Sequence, residues 1–472
     1  MKSRREFLKT SCRALSMAAI ATQMRHFGMV SVMAQKRAEE NLVPQEGYKA
    51  LVCVFLTGGN DSNNMVVPKH AEGYAQYTAA RGGAFGLAIP QANLLSIAPP
   101  AMGGLEFGLH PNLTDLHALW GQGKLAVVTN VGTLVQPITR AQYQSGAPRP
   151  LQLFSHSDQV DQFRTAISSY RATTGWGGRV ADRTGTLNPG AAISMVTSIN
   201  GANLFNIGNT TAPLIVAPAP TPLNQVLVLN GFTDADANSR KTAMENIRTA
   251  DLSYSMIQSA SVLTQQAYNV SQQLSQNPVL TVTFPNTTLG NQLAQVAKIM
   301  KFRTQLNMSR QIFYVSVGTF DTHSGQLTGQ GNLLTQVNQA LKAFYDETVA
   351  QGIAADVTTF TMSDFNRTFN PAGGGANVGT DHAWGGHHLV MGGSVLGGDF
   401  YGRPTANGSI FPTLVNNGPD DAESRGRFIP SVPVEAYAAT LARWFGLSAQ
   451  DVPLVFPNIN NFPFQTLNFL PF

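Results

Sequence analysis

Ala50-Leu51-Val52-Cys53-Val54-Phe55-Leu56, followed at once by Thr57-Gly58-Gly59-Asn60-Asp61-Ser62-Asn63-Asn64, is the stretch on which the fold turns. An unbroken apolar run of this length, rich in β-branched and aromatic residues, lacks the alternation of a strand with one face in water. It reads as a strand covered on both sides, and Cys53 within it as a small buried hydrophobe. The glycine pair and short polar side chains that follow stop the strand and open a crossover. The pattern recurs at residues 124–131, at 312–317 running on to Asp321, and at 357–362 running on to Asp364, with a helical pattern over 333–348 between the last two. These runs predict an α/β fold, a mostly parallel central sheet flanked by helices, with functional groups beyond the carboxyl ends of the strands. Residues 200–285 differ. They are turn-rich, as in Ala217-Pro218-Ala219-Pro220-Thr221-Pro222, then Gln/Ser-rich over an expected helix at 252–274, and read as an inserted subdomain.

Working outward from the strand ends, the chemistry gathers in two further blocks, Phe320-Asp321-Thr322-His323-Ser324 and the segment from Ser363-Asp364-Phe365-Asn366-Arg367 to Thr380-Asp381-His382-Ala383-Trp384-Gly385-Gly386-His387-His388. Carboxylates and imidazoles at strand ends suit a divalent cation; oxygen ligands favour calcium, magnesium or manganese, and imidazoles move the preference toward zinc or iron. An aspartate there can equally cap a helix or form a turn. His387 and His388 begin an expected strand, so at most one of them can face a site.

The 472 residues carry 31 basic and 27 acidic groups. Six of the basic ones and one of the acidic ones fall in the first 34 positions, and the remainder, 25 against 26, has no phosphate-neutralising excess. Nucleic acid is therefore not an expected partner, and no apolar stretch is long enough for a stable membrane span. With 43% hydrophobic residues the chain can bury a large core. Ser3-Arg4-Arg5-Glu6-Phe7-Leu8-Lys9 resembles a twin-arginine export signal, and Val32-Met33-Ala34 a cleavage site. The resemblance implies a signal peptide over residues 1–34, the twin-arginine translocase as a partner, and a periplasmic or secreted protein. Cys12 lies in that signal, so Cys53 has no partner for an internal disulfide.

Leu56-Thr57-Gly58-Gly59-Asn60-Asp61, Gly175-Trp176-Gly177-Gly178-Arg179, Phe320 to Ser324, Ser363 to Arg367, Gly379 to Gly386 and Gly397-Gly398-Asp399-Phe400-Tyr401-Gly402 resemble, in order, the blocks of the family called domain of unknown function 1501. The resemblance implies a distant relationship to the alkaline phosphatase and sulfatase superfamily, an alkaline phosphatase-like α/β domain over residues 48–472, and a metal site at strand ends. Carried over residue by residue, it makes Asp61 the ligand after the first strand, Asp321 and His323 ligands of one metal, and Asp364 and His382 the later ones, with Asp381 beside them. Ser155, in Phe154-Ser155-His156-Ser157-Asp158, is the candidate nucleophile, at an expected helix N-terminus that favours an anion; the alternative for it is an N-cap. Two blocks depart from the family pattern: Asp364 replaces a glutamate, which shortens its reach, and Ala383 replaces a glycine. The implied activity is metal-dependent hydrolysis of a phosphate or sulfate ester, small or polymeric, with zinc, calcium, magnesium or manganese as cofactor. The competing expectation is a non-catalytic exported protein that uses the same fold for binding or envelope assembly.

Overall fold

The computed structural model describes residues 47–223, 235–249 and 277–472, with Gln258, Ser261, Gln265 and Leu274 besides. The export signal, including Ala34, and most of the helix expected over 252–274 lie outside the described residues. In chain order the strands are β1 (Lys49–Leu56), β2 (Val66–Pro68), β3 (Leu95–Ile97), β4 (Phe107–Leu109), β5 (Leu125–Gly132), β6 (Val196–Ser198), β7 (Leu214–Ile215), β8 (Arg310–Val317), β9 (Val357–Ser363), β10 (Gly386–Gly392), β11 (Phe400–Tyr401) and β12 (Val432–Pro433). The helices used below are α1 (Ser62–Met65), α2 (Ala71–Arg81), α3 (Thr114–Gly121), α4 (His156–Thr165), α5 (Trp176–Thr184), α6 (Thr288–Lys301), α7 (Gln326–Ala350) and α8 (Val434–Phe445).

The central sheet has the order β11-β5-β10-β9-β1-β8-β6-β7, with β12 joined to β5. β1 lies between β8 and β9 and is parallel to both. β10 is antiparallel to β5 and β9 and is the reversed strand of an otherwise parallel sheet. A small antiparallel sheet, β2-β4-β3, stands apart. Within the stretch read as an insertion, β7 is an edge strand of the central sheet and residues 235–249 are helical.

The unbroken apolar run of β1 is explained by its two covers. Ala50, Val52, Val54 and Leu56 enter one core with residues of α3, α6 and α7, while Leu51, Cys53 and Phe55 enter another with residues of α4, α5 and α8. Each such fully buried Val, Leu or Phe contributes about 1.5–3 kcal/mol. The G-W-G-G-R block belongs to this second core. Trp176 is buried edge-on against Phe205, and a Cβ on Gly178 would lie 2.1 Å from the Ile207 carbonyl carbon.

Direction decides where the loops meet. The parallel strands β1, β5, β8 and β9 all end at one edge of the sheet, and the reversed strand β10 begins there. Residues 57–65, 133–156, 318–325 and 364–385 are thereby brought to the same edge.

Candidate metal centre

The loop after β1 is held against the loop after β8 by hydrogen bonds from Thr57 N to Val317 O (2.9 Å) and from Phe320 N to Thr57 O (3.0 Å). Gly58, with φ at +109°, has no room for a side chain, because a Cβ would stand 2.4 Å from Asp321 N. Its amide donates instead to Asp364 Oδ1 at 3.0 Å, which fixes a carboxylate that is only 1% exposed. On the far side Arg367 and His382 form an antiparallel bridge, so both side chains leave the same face of that short ladder. Trp384 anchors the entry into β10 by donating from Nε1 to Thr133 O at 2.8 Å.

Asp321 Oδ1 is the hub of what results. Arg367 Nη1 donates to it at 2.8 Å, and His323 Nε2, His156 Nε2 and His382 Nε2 lie at 3.0, 3.5 and 3.6 Å from it. The ligand atoms of His156, Asp321 and His382 all fall within 4.8 Å of one another. Each imidazole is fastened by its other nitrogen: His156 Nδ1 to Asp364 Oδ2 at 2.7 Å, His323 Nδ1 to Asp381 Oδ1 at 3.2 Å, and His382 Nδ1 to Phe154 O at 2.8 Å. All three of these partners accept hydrogen bonds, so each Nδ1 donates to its partner, and a ring that is neutral then points a lone pair inward from Nε2. His323 Nε2 and His382 Nε2 then face each other at 3.1 Å, and His156 Nε2 is buried with no hydrogen-bond partner.

Converging lone pairs repel unless something positive lies between them. Bonds of about 2.0–2.1 Å in a tetrahedral site place ligand atoms about 3.3 Å apart; four of the separations here, 3.0, 3.1, 3.5 and 3.6 Å, lie near that value, and His156, Asp321 and His382 form the group whose ligand atoms all lie within 4.8 Å of one another. Imidazoles anchored by carboxylates and a carbonyl are also the outer support that metal-binding histidines require.

The charges around the hub are mixed. The hydrogen bond to Asp364 holds the His156 pKa above its usual value against the opposing effect of burial. Burial lowers that of His382, which the carbonyl of Phe154 only partly offsets. Burial acts to raise Asp321, yet Arg367, His323 and His156 together bring it below the usual carboxylate range. Burial likewise acts upward on Asp381, and Arg425, whose Nη2 donates to Asp381 Oδ2 at 2.5 Å, outweighs it.

The sequence-predicted residues Asp321, His323, Asp364, Asp381 and His382 thus meet, Asp364 and Asp381 as anchors of imidazoles. Asp61 does not join them. Its side chain is 0% exposed, and its four accepting positions are filled by Arg81 Nη1 (2.6 Å), Arg81 Nη2 (3.1 Å), Asn63 N (3.1 Å) and Gln326 Nε2. A carboxylate saturated in this way has no lone pair left for a metal. Ser155 occupies the N-cap position of α4, but its hydroxyl donates to Asp158 Oδ2 at 2.8 Å on the first turn of its own helix. The residue that reaches the cluster from this stretch is His156. No strand end marks it in the sequence; its only signal is a histidine one position beyond Ser155. His387 and His388 are buried and packed elsewhere, stacked on Phe411 and Tyr437.

The chain belongs to the family described as Protein of unknown function (DUF1501), whose model matches residues 48–410. A search among curated proteins finds no match. Among solved structures the chain is similar to the lipoteichoic acid synthase LtaP from Listeria monocytogenes, with 8% identity and a TM-score of 0.26 over 72% of this chain and 62% of that one. It is also similar to Ps i-CgsB, solved in complex with k-i-k-neocarrahexaose, with 9% identity and a TM-score of 0.32 over 88% of this chain and 77% of that one. A third is the PsFucS1 sulfatase from Pseudoalteromonas sp., with 10% identity and a TM-score of 0.29 over 78% of this chain and 66% of that one. The chain therefore spans less than two thirds of the length of the Listeria synthase and of the Pseudoalteromonas sulfatase. Among the described residues no helix is long and apolar enough to cross a membrane.

Proposed function

We propose that this protein is a metal-dependent hydrolase of phosphate or sulfate esters, exported folded by the twin-arginine translocase to the periplasm or beyond. The observation that carries the reading is the convergence of three imidazole Nε2 atoms on Asp321 Oδ1, each ring fastened through Nδ1. His156, Asp321, His323 and His382 would hold the ion, and the donor set favours zinc over calcium or magnesium. A bound divalent ion supplies Lewis-acid chemistry, neutralising charge on an ester's oxygens and making water a better nucleophile.

The chain's own groups support this in three ways. Asp364, Asp381 and the Phe154 carbonyl keep the Nε2 lone pairs directed inward. The Arg367 and Arg425 guanidiniums set positive charge beside an anionic ester, which is the complement such a substrate needs. Asp321, with 44% of its side chain exposed, and the half-exposed His323 leave the cluster open to solvent, so a substrate has a way in. The choice of ester rests on the family resemblance and on this positive charge.

Metal analysis of the purified mature protein, combined with a screen of chromogenic phosphomonoesters, phosphodiesters and sulfate esters, tests the reading. About one bound transition ion per chain, a thermal midpoint lowered by chelator and turnover of one ester class are expected. A metal-free protein indifferent to chelator would leave the binding or envelope-assembly role instead. Export has its own test: changing Arg4 and Arg5 together to lysine should strand the precursor in the cytoplasm, and normal periplasmic yield would refute the address.

A further inference from the structure

The buried network around Asp61 touches every loop that carries a group of the cluster except the one bearing His156. Arg81, 0% exposed, uses all five of its N–H donors: Nε to Phe369 O at 2.9 Å, Nη1 to Asp61 Oδ2 and Asn64 Oδ1 at 2.6 Å each, and Nη2 to Asp61 Oδ1 and Thr368 O at 3.1 and 3.0 Å. Thr368 in turn is locked to Asp381, its amide donating to Asp381 O at 2.8 Å and its hydroxyl accepting from Asp381 N at 3.0 Å.

The second arm runs through Gln326. A carboxylate can only accept, so Gln326 must turn its NH2 toward Asp61 and its oxygen away, and that oxygen receives the Thr380 hydroxyl at 2.5 Å. Thr380 precedes Asp381 and His382, and Gln326 follows the loop of Asp321 and His323. The backbones of the two loops are themselves joined, Thr380 N to Thr322 O and Gln326 N to Val378 O, both at 3.1 Å. Between them Gly379 lies so close that a Cβ would stand 2.2 Å from the His323 carbonyl carbon.

We infer that Asp61, Arg81, Gln326 and Thr380 are positioning residues that set the separation of His323 from His382 and thereby the affinity of the centre for its ion. The inference rests on the metal reading above. It gives the aspartate after the first strand a different task from ligation: it fixes three loops through one saturated ion pair. Fixed outer partners of metal-binding histidines typically change affinity by about 10- to 100-fold when removed.

Thr380→Val removes one hydroxyl at nearly constant shape, and Thr380→Ser restores it. Zinc chloride titrated calorimetrically into chelator-treated mature protein should bind at least tenfold more weakly to the valine variant and as in wild type to the serine variant, with all three proteins folded by circular dichroism. Gly379→Ala, which wedges the same two loops, is the second variant should Thr380→Val not fold, with the same loss expected. Equal zinc affinity in folded Thr380→Val, or in Gly379→Ala, with only a lowered Tm would overturn the positioning role while leaving the metal reading intact. A wild type that takes up no ion at all would overturn both.

Discussion

Asp61 and Asp321 stand just beyond the ends of neighbouring parallel strands whose last residues, Leu56 and Val317, are in register. Each pairs with a buried arginine, and there the likeness ends. Arg81 and Asp61 satisfy every donor and acceptor they possess, at 0% exposure for both side chains. Arg367 gives a single hydrogen bond to Asp321, while its Nε and Nη2 are buried without partners, and Asp321 is 44% exposed with three imidazole Nε2 atoms 3.0–3.6 Å from its Oδ1. A saturated pair is a structural tie. An unsaturated one, costly to leave unpaired, marks where the fold holds charge in readiness for something else.

The largest expected effect breaks the first pair. Arg81→Met strands a buried carboxylate and two backbone carbonyls, and should cost about 3–5 kcal/mol in denaturant unfolding, as loss of one partner of a buried ion pair does. A cost under about 1 kcal/mol would show the tie to be dispensable and erase the contrast with Asp321.

A second test probes groups that belong to neither pair and should set the pH limits within which the comparison is made. Burial pushes the Glu435 pKa up from 4.5 to about 8, so the folded chain keeps a proton that the unfolded chain gives up. Stability is fully present below pH 4.5 and falls as pH rises through about 8, by at most about 1.4 kcal/mol per pH unit. Glu435→Gln should flatten that decline between about pH 4.5 and 8. On the acid side, burial depresses His387 and His388 from 6.5 to about 3, and the neutral forms contribute stability above pH 6.5 that is lost as pH falls through about 3. An acid limb that remains unchanged when His388 is replaced by phenylalanine would count against this origin.

The smallest effect on stability is expected at the second pair, where the largest effect on metal content should appear. Asp321→Asn keeps an acceptor for Arg367, and His382→Ala alters a partly exposed loop side chain, so each should shift unfolding by less than about 1 kcal/mol. Both should lower bound zinc measurably by plasma emission analysis. Unchanged metal stoichiometry in both variants would reduce Asp321 to a second structural ion pair.

Much of the fold could be read from the chain. The runs at residues 50–56, 124–131, 312–317 and 357–362 each coincide with a sheet strand to within a residue or so, because a strand covered on both faces leaves a dense apolar record. The strand-end aspartates and histidines were equally visible, and five of the residues they supplied meet at one edge. Other features left no such record. His156 follows a long loop rather than a strand, and nothing local separates it from a helix-capping segment. The saturation of Asp61 depends on Arg81 and Gln326, which come from different helices and carry no common motif.

The sequence by itself therefore determined the sheet, its buried strands and the polar blocks at their ends, since apolar periodicity and turn chemistry are local properties of the chain. Only the tertiary structure decided which strand-end carboxylate is a tie and which is a hub. That outcome depends on how many hydrogen-bond partners distant segments bring to each oxygen and on how much water they leave beside it. Two aspartates with the same local reading acquire opposite roles because one is enclosed by a five-donor arginine and a glutamine, and the other by three imidazoles with their Nε2 atoms turned inward.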